Sequence, residues 1–573
     1  MQEGYVSREL TLVWILLIVT VIVTFFIQRY RITYIPPSGA AMVLGILVGS
    51  VMKLSGLAET VRFSAEAFFY GLLPPIVFAA GFTLKKKDFF KNFGTISVYA
   101  VGGTLISALV FGLLTYGMVA VGIVKRSHLG SAPLIECMLY GSLISATDPV
   151  ATLSVFSELQ VPPLLYNLVF GESVLNDATA IVLFRTLTEF YATPVSWSTL
   201  PLMVWRFITI GLGSLGIGIA IALACAFILK RFQLGPGSDE GPSSVAFNGT
   251  VYEISLVVMS AYLAYLVAET VNMSGIVALF FTAICHAHYS FYSVAEEAQI
   301  ALKRCFEFAA FLSETFVFAF LGLQVATLSE KQVDAGLLIT GVPLVLLARA
   351  ANIFPLSYLL NMKGRRLPLP YNLQTIMWAV GLRGAVAYGL AVNLPQINEE
   401  NNQGMEAIES ATLVIVVIST IVFGGLTGPL LKTFNLHGVG DVEVHAMGLQ
   451  DYAGLTRAQA IDHVNASLSV ASSSLHGRWK SLDRNFLKPV FGGRAGQATR
   501  VSAGDSDDDE DQVELLGGPG AHGQPEVPLG DLPGPDMLHA ANGLAPMNVV
   551  EYNPPDPVTP GARAQQQQHN RPP

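Results

Sequence analysis

Two carboxylates in otherwise apolar surroundings carry most of the chemistry this sequence can perform. Asp148 sits in Ser145-Ala146-Thr147-Asp148-Pro149-Val150, and Asp177 closes Phe170-Gly171-Glu172-Ser173-Val174-Leu175-Asn176-Asp177. An acid inside hydrocarbon is expensive and marks a functional position by default. Pro149 removes a backbone donor and clashes with the preceding turn, so a helix is expected to break near Asp148 and free peptide carbonyls beside a carboxylate. That is a cation site in outline; the plainer reading is a capping acid at a kink. Ser173 and Asp177 are four apart and share a helix face, so a hydroxyl and a carboxylate can converge on one ion. Glu172 projects elsewhere and needs a partner of its own. Asp177 as a purely structural acid is the competing reading. In low dielectric, however, a carboxylate there must be balanced by a cation or a proton, which is the sensitivity a proton-coupled carrier requires.

Balancing charge comes from Arg349 (Leu347-Ala348-Arg349-Ala350-Ala351-Asn352) and Arg383 (Gly381-Leu382-Arg383-Gly384-Ala385). Gly381 and Gly384 let the backbone open or pack closely, which makes their run a second interrupted helix. Glu253 and Glu314 also fall in apolar runs, and for each a structural hydrogen bond and a place in an ion path are both open. His286 and His288 lack a partner cluster for metal binding. Cys137, Cys225, Cys285 and Cys305 show neither metal-ligand spacing nor a disulfide framework and read as small packing residues. Gly211, Gly213 and Gly216 spell G-x-G-x-x-G, but inside an apolar run rather than after a strand, so helix packing replaces the dinucleotide reading. Gly45 and Gly49 form a G-x-x-x-G that brings helices together, within or between protomers.

These residues must be positioned by membrane helices. Of 573 residues, 52% are hydrophobic and 13% charged, where a soluble enzyme has about a quarter charged. Apolar stretches near the roughly 20 residues that cross a bilayer fall at 10–27, 37–54, 64–84, 94–124, 134–156, 163–187, 200–230, 250–269, 273–289, 306–327, 335–362, 373–394 and 408–433. The first is a permanent helix rather than a secretory signal: it is long, is preceded by Glu3 and Glu9 and lacks a small-residue cleavage site. The expected architecture is an all-α polytopic membrane protein of about thirteen transmembrane helices. Interrupted helices at positions five and twelve point to two inverted six-helix repeats joined by the seventh, with a site at the midplane.

Basic residues crowd one set of loops, at Arg29, Arg31, Lys85, Lys86, Lys87, Lys91, Lys230, Arg231, Lys303, Arg304, Lys363, Arg365 and Arg366, against Arg8, Lys53, Arg62, Lys125, Arg126 and Lys331 opposite. The C-terminus is therefore expected in the cytosol and the N-terminus in the lumen or outside. Asn248-Gly249-Thr250 has glycosylation spacing but falls on the cytosolic side, where it stays unmodified. Residues 1–439 carry 24 Lys+Arg against 25 Asp+Glu, and residues 440–573 carry 9 against 17; no basic surplus exists for nucleic acid. We divide the chain into a membrane domain, 1–439, and a cytosolic tail, 440–573. The tail is rich in Gly, Pro, Ser, Asp and Gln, with an acidic block at 505–514 containing Ser506 and a glutamine run at 565–568. Most of such a composition is expected to stay disordered, apart from an amphipathic, partly helical stretch near 455–491.

Taken together, the motifs resemble the eukaryotic sodium/proton exchangers of the monovalent cation/proton antiporter superfamily. The phrases that carry the resemblance are Leu72 to Ile76 (LLPPI), Ser145 to Val150, Phe170 to Asp177, Glu314 to Leu323 (ETFVFAFLGL), Arg349 to Asn361 (RAANIFPLSYLLN) and Gly381 to Ala385 (GLRGA), in family order. Arg349 to Asn361, Ile376-Met377-Trp378 and the tail segment Arg478 to Phe491 are most similar to the endomembrane, Golgi-type branch. The resemblance implies crossed, unwound helices five and twelve, core and dimerisation regions, a homodimer, and elevator-like alternation. It further implies that Asp177 binds the ion and carries the proton, with Asp148, Thr147, Ser173 and Asn176 nearby. Glu172 and Arg349 would form a structural pair, and Arg383 would steady the helix crossing. The Asn176-Asp177 pairing is typical of electroneutral members, implying one proton for one Na+ or K+, the cargo, with no cofactor. Golgi or endosomal membranes are the expected location, with the plasma membrane as alternative. Expected partners are a second copy, membrane lipids and cytosolic regulators of the tail. The chain departs from the pattern after LLPPI: many relatives place an acid in the third span, where this one has Phe78-Ala79-Ala80-Gly81. Two rival classes are an intramembrane aspartyl protease using Asp148 and Asp177, which lacks the G-x-G-D context, and a cation channel, which would pass current without exchange.

Overall fold

Backbone polar groups in hydrocarbon must be satisfied within the segment, which leaves helices as the economical way to cross. The computed structural model describes residues 2–30, 32, 34–54, 65–84, 86–125, 133–148, 150–191, 199–232, 249–328, 333–362, 369–394, 403–434, 436 and 483–491, and among them only helices and turns occur. In chain order these are α1 (Gln2–Arg29), α2 (Pro37–Leu54), α3 (Phe68–Phe82), α4 (Asn92–Ala120), α5 (Pro133–Ser145), α6 (Val150–Leu159), α7 (Pro163–Glu189) and α8 (Thr199–Phe232). There follow α9 (Gly249–Thr270), α10 (Gly275–Ser293), α11 (Glu296–Thr327), α12 (Ala335–Met362), α13 (Tyr371–Ala379), α14 (Ala385–Val392), α15 (Met405–Thr433) and the short α16 (Lys488–Phe491). Ten of the described helices are long and apolar enough to span a membrane, and α3 and α5 are shorter apolar helices. The protein is a multi-pass membrane protein with an all-helical fold.

Burial grades from edge to centre. α1 is apolar all round and leaves Trp14, Ile18, Ile22 and Phe25 on the outside, as lipid contact requires. The apolar window of α7, by contrast, is 72% buried. Its hydroxyls are satisfied locally: Thr179, Thr186 and Thr188 each donate to the carbonyl four residues back.

Small residues set the closest helix contacts. A Cβ on Gly45 would strike the Ala319 carbonyl, and one on Gly49 would lie 3.0 Å from the Leu323 carbonyl. The G-x-x-x-G therefore joins α2 to α11 within one chain. The G-x-G-x-x-G run behaves differently from its sequence reading: Gly213 alone packs, against Met273, while Gly211 and Gly216 meet nothing within 4 Å. The close approach in α8 is made instead by Gly218, whose added Cβ would strike the Ala278 backbone. Among the cysteines, Cys137 and Cys225 are buried as expected, but Cys305 is exposed on α11.

Wider π turns occur at 68–72, 98–103, 286–290 and 419–423. Each re-aims the residues beyond it. Pro149, Lys85, Asn248, residues 455–482, Ser506, the acidic block and the glutamine run lie outside the described residues.

Candidate functional site

The chain is interrupted twice where glycine and proline punctuate it. α5 stops at Ser145 and α6 resumes at Val150; α13 stops at Ala379 and α14 resumes at Ala385. The two gaps cross. Asp148 N–H donates to the Leu382 carbonyl at 3.0 Å, and Arg383 Nη1 donates to the Ser145 and Ala146 carbonyls at 3.0 and 3.2 Å. The freed carbonyls of one break are thus held by a guanidinium from the other, which answers the demand that buried backbone groups be paired. Gly384 is required by space rather than by dihedral: its φ of −127° is ordinary extended backbone, but a Cβ there would occupy the position of the Asp148 carboxylate.

α7 runs past this crossing with its polar face toward it. Asn176 Nδ2 donates to Thr147 Oγ1 at 3.1 Å, Ser173 Oγ donates to the Thr147 carbonyl, and Thr147 Oγ1 lies 3.5 Å from Ser173 Oγ. Thr147, Ser173 and Asn176 are buried, while Asp148 and Asp177 are partly exposed. Asp177 lies within electrostatic reach of Asp148 and Arg383. Two oxygens, Asp177 Oδ1 and Asn176 Oδ1, are buried without a hydrogen-bond partner. Unsatisfied buried acceptors are rare and call for a reason; a bare cation, which needs oxygens and no donors, supplies one. All five residues singled out in the sequence are brought together here.

Two further buried acids, Glu172 and Glu253, have partners. Arg349 on α12 pairs with Glu172 through its two terminal guanidinium nitrogens, Nη1 and Nη2, with side-chain exposures of 4% and 1%. Arg349 Nη2 also donates to the Met377 carbonyl at 3.0 Å, at the end of α13. Glu253 has a structural contact, accepting from Ala295 N–H at 2.9 Å. Glu314 is partly buried on α11 and within electrostatic reach of Asp148. Where relatives were expected to carry an acid, Phe78 packs against Phe306 with ring centroids 4.1 Å apart and planes tilted by 33°. His286 is fully buried between Ser260 and Ser290, and His288 meets Asp483 of the tail.

Two residues escaped the sequence reading. Ser419 Oγ accepts from Arg383 N–H at 3.1 Å, and Thr420 Oγ1 donates to the Arg383 carbonyl at 3.3 Å. They brace the backbone of the second break from a π turn in α15. A pair of adjacent hydroxyls in an apolar run was the available signal.

The family profile described as "Sodium/hydrogen exchanger, transmembrane" matches residues 15–433. Sodium/hydrogen exchanger 8 of Mus musculus is 37% identical over 447 residues, covering 76% of this chain and 74% of that protein. Sodium/hydrogen exchanger 9 of Homo sapiens is 32% identical, covering 84% and 80%, and sodium/hydrogen exchanger 5 of Arabidopsis thaliana is 31% identical, covering 86% and 94%. The fold is like that of the sodium proton antiporter MjNhaP1 from Methanocaldococcus jannaschii, with a TM-score of 0.53 at 20% identity over 76% of this chain and 100% of that one. With its membrane-spanning length matched throughout, the chain belongs to the sodium/hydrogen exchanger family.

Proposed function

We propose that this exchanger trades one H+ for one Na+ or K+ at Asp177, without net charge movement, and that the site alternates between compartments by an elevator-type displacement. The observation that carries the reading is the pair of buried, partnerless oxygens on Asn176 and Asp177 beside an opened helix. Charge counting supports the stoichiometry. Glu172 is paired to Arg349, while Asp177 has the negative charge of Asp148 and the positive charge of Arg383 within reach, an excess of one negative charge in that trio. A single H+ or a single alkali cation neutralises that surplus, and only a neutralised site crosses an apolar barrier cheaply. Competition for one carboxylate then couples the two fluxes. Thr147, Ser173 and Asp148 complete the ligand set, Glu172 and Arg349 hold the scaffold, and Arg383 steadies the crossing.

A homodimer in Golgi or endosomal membranes with a cytosolic C-terminus fits the sequence pattern, and the exchange would set organellar pH and cation content. Reconstituted into vesicles with a pH gradient, the native protein should dissipate that gradient on addition of Na+ or K+, with no accompanying current. Asp177→Asn should abolish the flux and leave assembly intact. Undiminished exchange in that variant refutes the assignment, and a large current in place of exchange favours the channel reading.

A further inference from the structure

Arg185 lies on α7 eight residues beyond Asp177, about 12 Å along the helix. Its guanidinium reaches out of the ion-site assembly to the hairpin between α9 and α10. Nη2 donates to both Glu269 oxygens, at 2.7 and 2.8 Å, and Nη1 donates to the Met273 carbonyl at 2.8 Å. Glu269 Oε1 also accepts from Gly275 N–H at 2.9 Å. The receiving turn is well formed: Asn272 takes the left-handed conformation, with φ of 56°, and Met273 N–H closes onto the Ala268 carbonyl at 2.8 Å. A guanidinium nitrogen shared between both oxygens of a carboxylate is a charge-assisted contact, roughly twice as strong as a neutral hydrogen bond.

What makes this pair informative is the surface around it. α8, α9 and α10 are stitched to one another by polar contacts. Ser274 N–H donates to Ser214 Oγ at 2.8 Å, Thr282 Oγ1 donates to the Gly218 carbonyl at 3.1 Å, Cys225 Sγ donates to the Leu256 carbonyl at 3.7 Å, and Ser260 bonds His286 at 3.0 Å. α7 is stitched with equal care to the crossing and to α12, through Thr147 and Arg349. Between these two sets of helices, the seam is apolar in its middle, where Ala178 and Val182 of α7 meet Ile210, Val277 and Met273. Apolar contact is non-directional and permits sliding. Charged contact closes one end of the seam, at Arg185 with Glu269 and, more exposed, at Glu189 with Arg206 at 2.7 Å.

We infer that Arg185, Glu269 and the Met273 carbonyl form a latch between the ion-carrying helix and the α8–α10 unit, which must part and re-form in each transport cycle. This rests on the elevator-type reading above and adds to it the place where the two bodies separate. The side chains are 32% and 17% exposed, so water reaches the pair as it opens and takes over its hydrogen bonds. Because Arg185 touches none of the ion ligands, the latch acts on alternation and leaves the chemistry of binding to Asp177.

The test replaces the ion pair by a reversible covalent one. In a background with Cys137, Cys225 and Cys285 changed to Ala and Cys305 to Ser, Arg185→Cys and Glu269→Cys are combined and the protein is reconstituted. Treatment with a bis-thiosulfonate long enough to bridge the former pair should stop cation-driven proton flux, and reduction should restore it. The same reagent in monofunctional form should leave exchange running. Full exchange by the cross-linked protein overturns the latch. In the native cysteine background, Arg185→Glu should change the rate of exchange, and Arg185→Glu with Glu269→Arg should return it toward the native value. A native rate in Arg185→Glu likewise overturns the proposal. Failure of the untreated native protein to exchange at all refutes the exchanger reading itself, and the latch with it.

Discussion

At the residue scale, the site is a problem of solvation solved by pairing. Glu172 and Arg349 are almost wholly removed from water, and removing one partner of such a pair leaves an uncompensated charge costing about 3–5 kcal/mol. Arg349→Ala should therefore fail in assembly before it fails in ion binding, with a large drop in the detergent-solubilised melting temperature. A stable and fully active Arg349→Ala protein would remove the pair from its structural role. Asp177→Asn should show the opposite pattern, with a native melting temperature and no flux. The sequence made both acids visible because ionisable residues stand out against hydrocarbon, and the i, i+4 spacing put Ser173 beside Asp177. It gave no hint of Thr147 serving α7 twice, through its hydroxyl and its carbonyl, since that contact depends on the angle at which the broken strand of backbone meets the helix. Arg185 drew no reading from the sequence, because its partner Glu269 lies 84 positions later and meets it only in the folded chain.

At the element scale, the two breaks were legible because their causes are local. Proline and glycine change backbone preference wherever they stand, and both gaps opened where they cluster. The π turns were not legible, because one extra residue in a turn barely alters an apolar run, yet the turn at 419–423 delivers Ser419 and Thr420 to Arg383. The glycine triplet in α8 shows the converse error: a pattern of small residues was legible, but its partner was not, and Gly218 rather than Gly211 or Gly216 makes the close contact. Gly384 gives the sharpest prediction at this scale. An alanine there meets no strain at a φ of −127°, but its Cβ would strike both Asp148 Oδ2 and Asp148 Cβ, so the Asp148 side chain and the backbone that carries it must shift. Gly384→Ala should insert into the membrane like the native protein while its exchange is strongly reduced and its apparent KM for Na+ or K+ raised, read from flux titrations in vesicles. Unchanged titrations would separate Asp148 from the ion site.

At the scale of the whole molecule, the membrane helices are joined by a piece of the chain that follows them. The π turn Asp483–Leu487 and α16 lie against α8 and α10. Leu487 packs with Ala226 and Tyr289, Lys230 Nζ donates to the Pro489 carbonyl at 2.6 Å, and Asp483 receives the Tyr289 hydroxyl at 2.6 Å and His288 Nε2 at 3.2 Å. Burial pushes the Asp483 carboxyl up, but hydrogen bonds from His288 and Tyr289, with the charges of His288 and Lys488, outweigh it and hold the group below the usual carboxylate range. A carboxyl depressed in the docked state favours docking fully above its undocked value, and that contribution disappears as pH falls through the docked one. Hydrogen-exchange protection of 483–491 should therefore stay level, as far as Asp483 is concerned, from neutral pH down to the carboxylate range and fall below it. Asp483→Asn should lose about 1–3 kcal/mol of that protection at neutral pH, the worth of hydrogen bonds to a charged acceptor, and should show no further step in acid. Equal protection in the two proteins at neutral pH would mean that Leu487 and the Lys230 contact hold the segment without Asp483.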